Sequence, residues 1–463
     1  MTSLYSKLSE LQATGNPIRV GLIGAGKFGS MFISQAAHTP GLHLAGIADL
    51  SPSRAISSLQ RVSFPASKFS TSPHTQITLD EALRTGQTSI TSDSEALIAH
   101  PGIDIILEAT GNPAAGVKHA LLACTHKTHI VMINVEADVL AGAYLVRKAA
   151  EAGIIYSMAY GDQPALISEL VDWARTAGFR VVCAGKGTKY LPEYHASTPD
   201  TVWGYYGFTE EQLATGDFNK QMFNSFLDGT KSALEMAAVS NGCDLQPPPD
   251  GLNFPPCGVN DLPHVLRPVS DGGQSPHSGT VEVVSSLERD GRQVPNDLRW
   301  GVYVVIEAPG PYQASCFAQY GLTTDSTGRY AAQYKPYHLI GLELGVSIAS
   351  IMLRNEPTGQ CKAFNADVVA TAKRGLKAGE VLDGEGGYMV YGKLVPARES
   401  LRREGLPIGL ASGVVLKRDV RVGEGLSWRD IEWSVDNMTQ AQRVRREMES
   451  VFRGEMGVDV EGR

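Results

Sequence analysis

The stretch Ile18-Arg19-Val20-Gly21-Leu22-Ile23-Gly24-Ala25-Gly26-Lys27-Phe28-Gly29 decides the fold. Its first half reads as a buried strand, the glycines punctuate it, and a helical pattern follows through Met31-Phe32-Ile33. Each glycine of the G-x-G-x-x-G loop has a mechanical reading: Gly24 permits a tight turn, Gly26 lets a pyrophosphate approach the backbone, and Gly29 lets helix and strand pack closely. The helix N-terminus, opening at Lys27 and Phe28, offers free N–H groups and the positive end of its dipole. Asp49 ends a second strand, Leu42–Ala48, about 20 residues further on, where a carboxylate meets ribose hydroxyls. Such a carboxylate repels a 2′-phosphate and favours NAD, while Arg54 close by keeps NADP open.

Outward from this loop, residues 103–109 and 129–133 read as two further strands separated by a helix over 114–124. Strands alternating with helices predict an α/β fold with parallel pairing and right-handed crossovers. The turn Thr110-Gly111-Asn112 ends one of those strands and is expected to face the nicotinamide half of the cofactor. The Ser- and Thr-rich residues 51–94 read as an elaborated surface excursion. From residue 166 the pattern changes: a helix over 166–178, a strand over 180–184, an aromatic loop over 192–217, a continuous helix over 222–240 and irregular chain over 245–273. Strands over 280–286 and 301–308 read as parts of a mixed or antiparallel sheet, and 338–353 as an apolar helix returning to the earlier domains. In the last hundred residues, short strands at 368–372 and 414–416 are read with Gly- and charge-rich turns between them, and Lys377-Ala378-Gly379-Glu380 and Arg421-Val422-Gly423-Glu424 read as two versions of one basic-x-Gly-Glu turn. A charged helix and tail occupy 440–463.

The totals bound the function. A chain of 463 residues with 43% hydrophobic and 19% charged residues is an ordinary globular protein of about three domains. Its net charge of -8 argues against a general nucleic-acid surface. The six cysteines are scattered without a C-x-x-C pair, as expected of reduced thiols in a cytoplasmic protein. Neither a signal-peptide core nor a run of about 18 apolar residues is read, so no membrane association is expected.

Three turns concentrate polar groups: Asn134-Val135-Glu136-Ala137-Asp138, Tyr160-Gly161-Asp162-Gln163-Pro164 and Gly185-Lys186-Gly187-Thr188-Lys189. Hydride exchange between a carbinol and nicotinamide needs one group to move the hydroxyl proton and one to polarise the carbonyl. A partly desolvated lysine does either, which makes Lys186 and Lys189 the leading catalytic candidates. Asn224, Asp228, Lys231 and Glu235 recur at helical spacing and are expected to share one face. Glu136, Lys231 and Asp228 join the catalytic candidates, with Glu136 also near the cofactor. Asp162, Gln163, Asn224 and Glu235 are candidate substrate ligands. Glu136, Asp162 and Glu235 offer carboxylates to a divalent ion, but no metal-ligand spacing assigns one. The histidines, His195 among them, are isolated and read as structural.

The loop Gly24 to Gly29, the turn Glu108-Ala109-Thr110-Gly111-Asn112-Pro113, Asn134-Val135-Glu136, Gly161-Asp162-Gln163-Pro164 and Ser225-Phe226-Leu227-Asp228-Gly229-Thr230-Lys231 together resemble the homoserine-dehydrogenase-like proteins with a C-terminal SAF domain. Tyr334-Lys335-Pro336-Tyr337-His338-Leu339 and Leu376-Lys377-Ala378-Gly379-Glu380 extend the likeness towards the C-terminus. The resemblance implies a Rossmann domain over 1–165, a substrate domain over 166–355 that also builds a homo-oligomer interface, and a small β-rich SAF-like domain over 356–463. It further implies an NAD(P)-dependent oxidoreductase acting on a CH–OH group of a small sugar acid or ketose. Reductoisomerase-like enzymes of deoxyxylulose phosphate and oxidoisomerases of D-apionate belong to the same group. Two alternatives stay open: a homoserine dehydrogenase, whose longer catalytic run is here reduced to Asp228-Gly229-Thr230-Lys231, and an NAD(H)-sensing binding protein without catalysis.

Overall fold

The computed structural model describes residues 3–74, 76–215 and 218–460. It divides into two compact units, Met1–Ala165 with Leu339–Gln360, and Leu166–His338 with Cys361–Arg463.

The first unit is built on six strands: β1 (Ile18–Ile23), β2 (Leu42–Ala48), β3 (Ser89–Thr91), β4 (Ile105–Glu108), β5 (His129–Met132) and β6 (Tyr156–Met158). All neighbours are parallel, in the order β3-β2-β1-β4-β5-β6. This is the doubly wound order, which reverses between β1 and β4 and opens a crevice at their C-terminal ends. Leu22, Phe32, Ile33, Ile47, Leu107 and Val131 fill the core beneath it. The returning helix is shorter than the sequence pattern, Gly345–Arg354, and lays Ile348 and Ile351 into that core. The residues before it, 338–344, form turns instead of helix.

The serine-rich residues 51–94 are a correction to the sequence reading. They are not a surface excursion, for they supply the helix Pro52–Arg61 and the edge strand β3. Ala55, Ile56, Leu59, Phe69 and Ile90 are buried there, and the Ser58 hydroxyl donates to the Ala25 carbonyl at 2.8 Å. Serine composition hid a core-facing stripe.

The second unit holds a four-stranded mixed sheet, β7 (Arg180–Thr188), β8 (Thr280–Ser285), β9 (Val302–Glu307) and β10 (Tyr330–Lys335), in the order β10-β9-β7-β8. β7 pairs parallel to β8 and antiparallel to β9. Here too the sequence reading needs correction: Gly185-Lys186-Gly187-Thr188 are strand, not loop. The glycines serve close packing, since a Cβ on Gly185 would lie 1.8 Å from the Glu282 carbonyl oxygen and one on Gly187 would lie 1.9 Å from that of Leu298. The expected continuous helix over 222–240 is also broken. Lys220–Leu227 and Thr230–Cys243 are separate helices, interrupted at Gly229 (φ +88°), with the Asp228 carboxylate accepting the Thr230 N–H at 2.9 Å. The break puts Asn224 on one helix and Lys231 and Glu235 on the other.

The helix Thr230–Cys243 is buried on nearly all sides. It packs on β7 and β8, and also on β11 (Ala366–Ala372) and β13 (Val390–Pro396) of the C-terminal segment. β11 and β13 pair antiparallel, as do β12 (Val381–Asp383) and β14 (Ser412–Val415). The two basic-x-Gly-Glu turns share one geometry: Gly379 and Gly423 have positive φ, and Glu380 and Glu424 each accept the N–H of the basic residue three positions back. The helix Gln440–Met456 closes the segment, its buried Arg445 paired with Asp367 and Glu449. The aromatic segment at 192–217 contains the short helices Val202–Tyr206 and Glu210–Thr215; residues 216–217 and the tail end, 461–463, lie outside the described residues.

The packing at Gly185 makes a direct expectation. Gly185→Ala destabilises the fold by about 3 kcal/mol or more, because its methyl group meets backbone and not a flexible side chain. Denaturant unfolding checks it, through a lowered midpoint with an unchanged slope; an unaltered midpoint would mean that β7 and β8 are not so closely packed.

Candidate functional site

At the crevice of the first unit, the chain after β1 turns at Gly24 with φ +95°, so close to the next loop that a Cβ would sit 2.7 Å from the Ala109 carbonyl oxygen. A Cβ on Gly29 would fall 2.2 Å from the Gly24 carbonyl oxygen, which fixes the helix Lys27–Ala36 tightly against the loop. Gly26 differs: nothing lies within 4 Å of where its Cβ would be. It is also the residue before the first helical turn and makes no side-chain cap. A strained turn, a tight contact and an open space at the helix N-terminus form the cradle that a pyrophosphate fills.

A cavity of about 430 Å³ adjoins it, and Gly24, Gly26, Asp49, Arg54, Thr110 and Asn112 line it as expected from sequence. Lys27, Phe28, Gly29, Gly111 and Glu136 do not line it; Phe28 packs against the core, and Glu136 is buried in the first turn of the helix Val135–Ala152. Asp49 is buried, with its carboxylate accepting the N–H groups of Ala25 and Ser51 and the guanidinium of Arg54. Asp162 and Gln163 belong to the same unit, both buried, with the Asp162 carboxylate accepting the Gln163 N–H.

Sequence reasoning missed the groups that hold the cavity wall. Glu108 is fully buried at the end of β4, and its Oε1 accepts from the Thr110 hydroxyl at 2.6 Å and meets His119 Nδ1 at 3.1 Å. The other ring nitrogen of His119 lies 3.0 Å from the Ser94 hydroxyl. Asn134 caps its own helix through Ala137 and donates to the Asn112 carbonyl at 2.8 Å, tying two loops together. Glu108 Oε2 is buried with no hydrogen-bond partner. The quoted motif contained Glu108, but its partner His119 lies a helix turn beyond any motif.

The second unit brings another set together. Lys186, on β7, is buried and paired with the equally buried Glu235 of the helix Thr230–Cys243. Asp228, fully buried, pairs with Lys373 at 2.7 Å. Burial raises the Asp228 pKa while Lys373 opposes the rise. Lys373 also donates to the carbonyls of Ser197 and Gly387 at 2.8 and 2.7 Å, so backbone acceptors hold it beside the carboxylate. Asn224 is consumed structurally, donating to the carbonyls of Ser197 and Gly386 and accepting from the Ser197 hydroxyl. Lys189 donates to the Tyr205 carbonyl, and burial followed by the nearby Arg299 lowers its pKa. Lys231, at the start of the same helix as Glu235, is partly buried.

His195, read as isolated, is embedded: Nδ1 lies 2.7 Å from the Asp228 carbonyl, Nε2 lies 3.0 Å from the Tyr190 hydroxyl, and the ring stacks on Tyr391. Burial lowers its pKa against the effect of the Asp228 carbonyl. Phe254 stacks on Tyr190 at 3.9 Å, and the N–H groups of Asn253 and Phe254 bind Glu282. Among the described residues no group of three His, Cys, Asp or Glu side chains is placed to hold a metal ion. Among them, too, no helix is long and apolar enough to cross a membrane.

The parallel sheet, its glycine cradle and the ribose-end carboxylate define a dinucleotide-binding protein. Residues 18–136 match the oxidoreductase family with an NAD-binding Rossmann fold, and residues 161–344 match the catalytic domain of oxidoreductase DRL. Both matched families are oxidoreductases, and the first unit carries the NAD-binding Rossmann fold. No protein of curated function matches it. Among solved structures it is similar to myo-inositol dehydrogenase from Lactobacillus casei in complex with NAD(H) and myo-inositol, at 16% identity over 40% of this chain and 50% of that one, with a TM-score of 0.28. It is also similar to the WlbA dehydrogenase from Bordetella pertussis in complex with NADH and UDP-GlcNAcA, at 16% identity over 48% and 58%, TM-score 0.29. A third is scyllo-inositol dehydrogenase from Lactobacillus casei with NAD(H) and scyllo-inositol, at 10% identity over 74% and 92%, TM-score 0.37. The match spans half the length of the first of these.

Two outcomes are expected. Gly26→Val leaves the unfolding midpoint close to wild type, because the side chain enters open space, but lowers NAD affinity at least about tenfold by occupying the pyrophosphate position. Equilibrium binding measures it, and unchanged affinity would remove the cradle from the cofactor site. The second concerns Glu282, whose pKa burial pushes from 4.5 to about 7 against its backbone N–H donors. A carboxyl that holds its proton more tightly when folded adds stability below its unfolded pKa and loses it as pH rises through the folded one. Relative to Glu282→Gln, the wild type therefore loses on the order of 3 kcal/mol between about pH 4.5 and 7. Denaturant curves across that range decide; a pH-independent difference would show that Glu282 titrates normally.

Proposed function

We propose that the chain exchanges hydride between NAD(P) and a CH–OH carbon of a small polyhydroxylated acid or ketose, with Lys186 as the catalytic residue and Glu235 as its proton partner. One observation carries this reading. Both buried lysines of the second unit are paired with carboxylates, but their other partners differ: Lys373 also donates to two backbone carbonyls, whereas Lys186 meets Glu235 alone among the described residues. A buried ammonium with unused donors is costly to keep unless a ligand completes it. Buried, strongly coupled pairs of this kind concentrate at reaction centres. The match of residues 161–344 to an oxidoreductase catalytic domain supports placing the chemistry in this unit.

When bound, the nicotinamide supplies the hydride acceptor or donor. Lys186 then has two tasks. In the oxidation direction the Lys186 ammonium passes one proton to the Glu235 carboxylate and takes the hydroxyl proton in its place as the carbinol becomes a carbonyl. In reduction the ammonium polarises the carbonyl oxygen and returns the proton. Lys189 and Lys231 are proposed to hold the substrate's hydroxyl and carboxylate groups, while Asp228 is assigned to positioning through Lys373. The likeness to homoserine-dehydrogenase-like proteins with a SAF domain supports a homo-oligomer and a shift of the carbon skeleton beside the carbonyl.

A panel of polyols, sugar acids, ketose phosphates and homoserine, followed by nicotinamide absorbance and product mass, tests the substrate class. Lys186→Met is expected to lower kcat/KM by roughly 10²- to 10⁴-fold, the usual contribution of a general acid–base group, with cofactor affinity retained. Because removing one partner of a buried pair costs about 3–5 kcal/mol, the double variant Lys186→Met with Glu235→Leu provides a folded control. Wild-type turnover in either variant would sink the assignment, and preferential oxidation of homoserine would replace the substrate class.

A further inference from the structure

We infer that the ribose end of the cofactor cavity accepts a 2′-phosphorylated dinucleotide as well as the unphosphorylated one, and that Arg54 is the residue that reads the difference. The inference rests on a dinucleotide occupying this cavity and names the specificity of that same site.

A carboxylate at the end of β2 ordinarily excludes NADP in two ways: it binds the 2′-hydroxyl and repels a phosphate. In this chain its neighbours weaken both. Asp49 Oδ2 accepts the Ala25 N–H at 2.9 Å, and Oδ1 accepts the Ser51 N–H at 2.8 Å. The Arg54 guanidinium forks across both oxygens, with Nη2 at 2.7 and 2.9 Å and Nε at 3.1 and 3.2 Å. An ionised carboxylate has about four lone-pair sites, and two backbone donors with two guanidinium nitrogens fill them. While Arg54 stays there, a ribose hydroxyl finds no free acceptor on Asp49. The adjacent positive charge also offsets the repulsion that a phosphate would meet.

The two partners differ in freedom. The Asp49 side chain is fully buried and fixed by the two backbone N–H groups, whereas the Arg54 side chain is 57% exposed. Arg54 is therefore the movable member, and Asp49 keeps two hydrogen bonds when it leaves. A 2′-phosphate carries about -1.5 to -2 charges and matches the guanidinium fork bidentately. Lys118, whose pair with Glu95 is solvent-exposed, lines the same cavity as a second cation, and Ser92 and Ser94 line it with hydroxyl groups. With the unphosphorylated ribose, Arg54 either donates to the 2′-hydroxyl or yields Asp49 to it. One residue serves both cofactors.

Calorimetric titration of the full chain with NAD+, NADP+, ADP and 2′,5′-ADP tests this directly. In wild type, NADP+ is expected to bind within about tenfold of NAD+. Arg54→Ala is expected to weaken NADP+ and 2′,5′-ADP by roughly 10- to 100-fold, the loss of one bidentate charge-assisted contact. NAD+ and ADP should stay within about threefold or bind more tightly, since the freed carboxylate can accept ribose hydroxyls. Arg54→Lys should fall between, because a point charge lacks the fork. A preference for NAD+ above about 100-fold in wild type, or the same NAD+/NADP+ ratio in Arg54→Ala, overturns the inference while leaving the cofactor site intact. Binding of neither dinucleotide overturns the cofactor assignment and this inference with it.

Discussion

Two lysine ammonium groups, Lys186 and Lys373, lie within the apolar interior of the second unit, and the arrangement of that unit follows from keeping them charged. An unpaired ion costs several kcal/mol in such surroundings, and removing one member of a buried pair exposes the full penalty. Glu235 and Asp228 meet the two lysines from either side of one helix start: Asp228 lies just before Gly229, and Glu235 one turn inside Thr230–Cys243. The junction of two helices at Gly229 therefore positions both carboxylates. The first pair requires β7, and the second requires the segment after β11. The two together form only when sheet, helix and C-terminal segment have all come together. This is why residues 361–463 share a compact unit with 166–338, a union strengthened by Thr230 accepting the Gly392 N–H and Asn241 binding the backbone at Ala366.

The first unit solves a different problem. Its ligand-facing surface is made largely of backbone, and its geometry comes from what glycine omits. Gly24 and Gly29 are needed for contacts already present, whereas Gly26 has open space around it. Its principal buried charges, Glu108 and Asp49, end adjacent regions of the sheet and hold the loops that the cofactor touches. A site of this type is preorganised before any ligand arrives, since its donors belong to a helix terminus and cannot relax away.

These two strategies explain what was legible in the sequence. The strand, glycine loop and helix at 18–36 follow local rules, and β1 and β2 fall where periodicity and punctuation place them. The misreadings share a non-local cause. Gly185 and Gly187 resemble loop residues, but their small size answers to the carbonyls of Glu282 and Leu298, about a hundred residues away in the chain. Serines in the helix Pro52–Arg61 look like surface until Ser58 is seen bonded to Ala25. Lys373 belongs to no motif and acquires meaning only opposite Asp228. Helical spacing joined Asn224, Asp228, Lys231 and Glu235 on one face, but Gly229 could terminate that pattern as readily as interrupt it harmlessly.

Residue type and spacing name the candidates; the hydrogen-bond sites each one retains after folding separate their roles. Asn224 is a polar group in a promising place, yet its amide is occupied by the backbone at Ser197 and Gly386. Lys373 donates to two backbone carbonyls that fix it against Asp228, so it braces the structure. Lys186 has no such backbone acceptors among the described residues and meets Glu235 alone. The same count distinguishes Asp49, whose lone pairs are filled unless Arg54 moves, from the ribose ligand that its position alone implies. Saturation is invisible in sequence because it depends on partners from distant segments, and in this chain it separates residues that hold the structure from residues that remain able to meet a ligand.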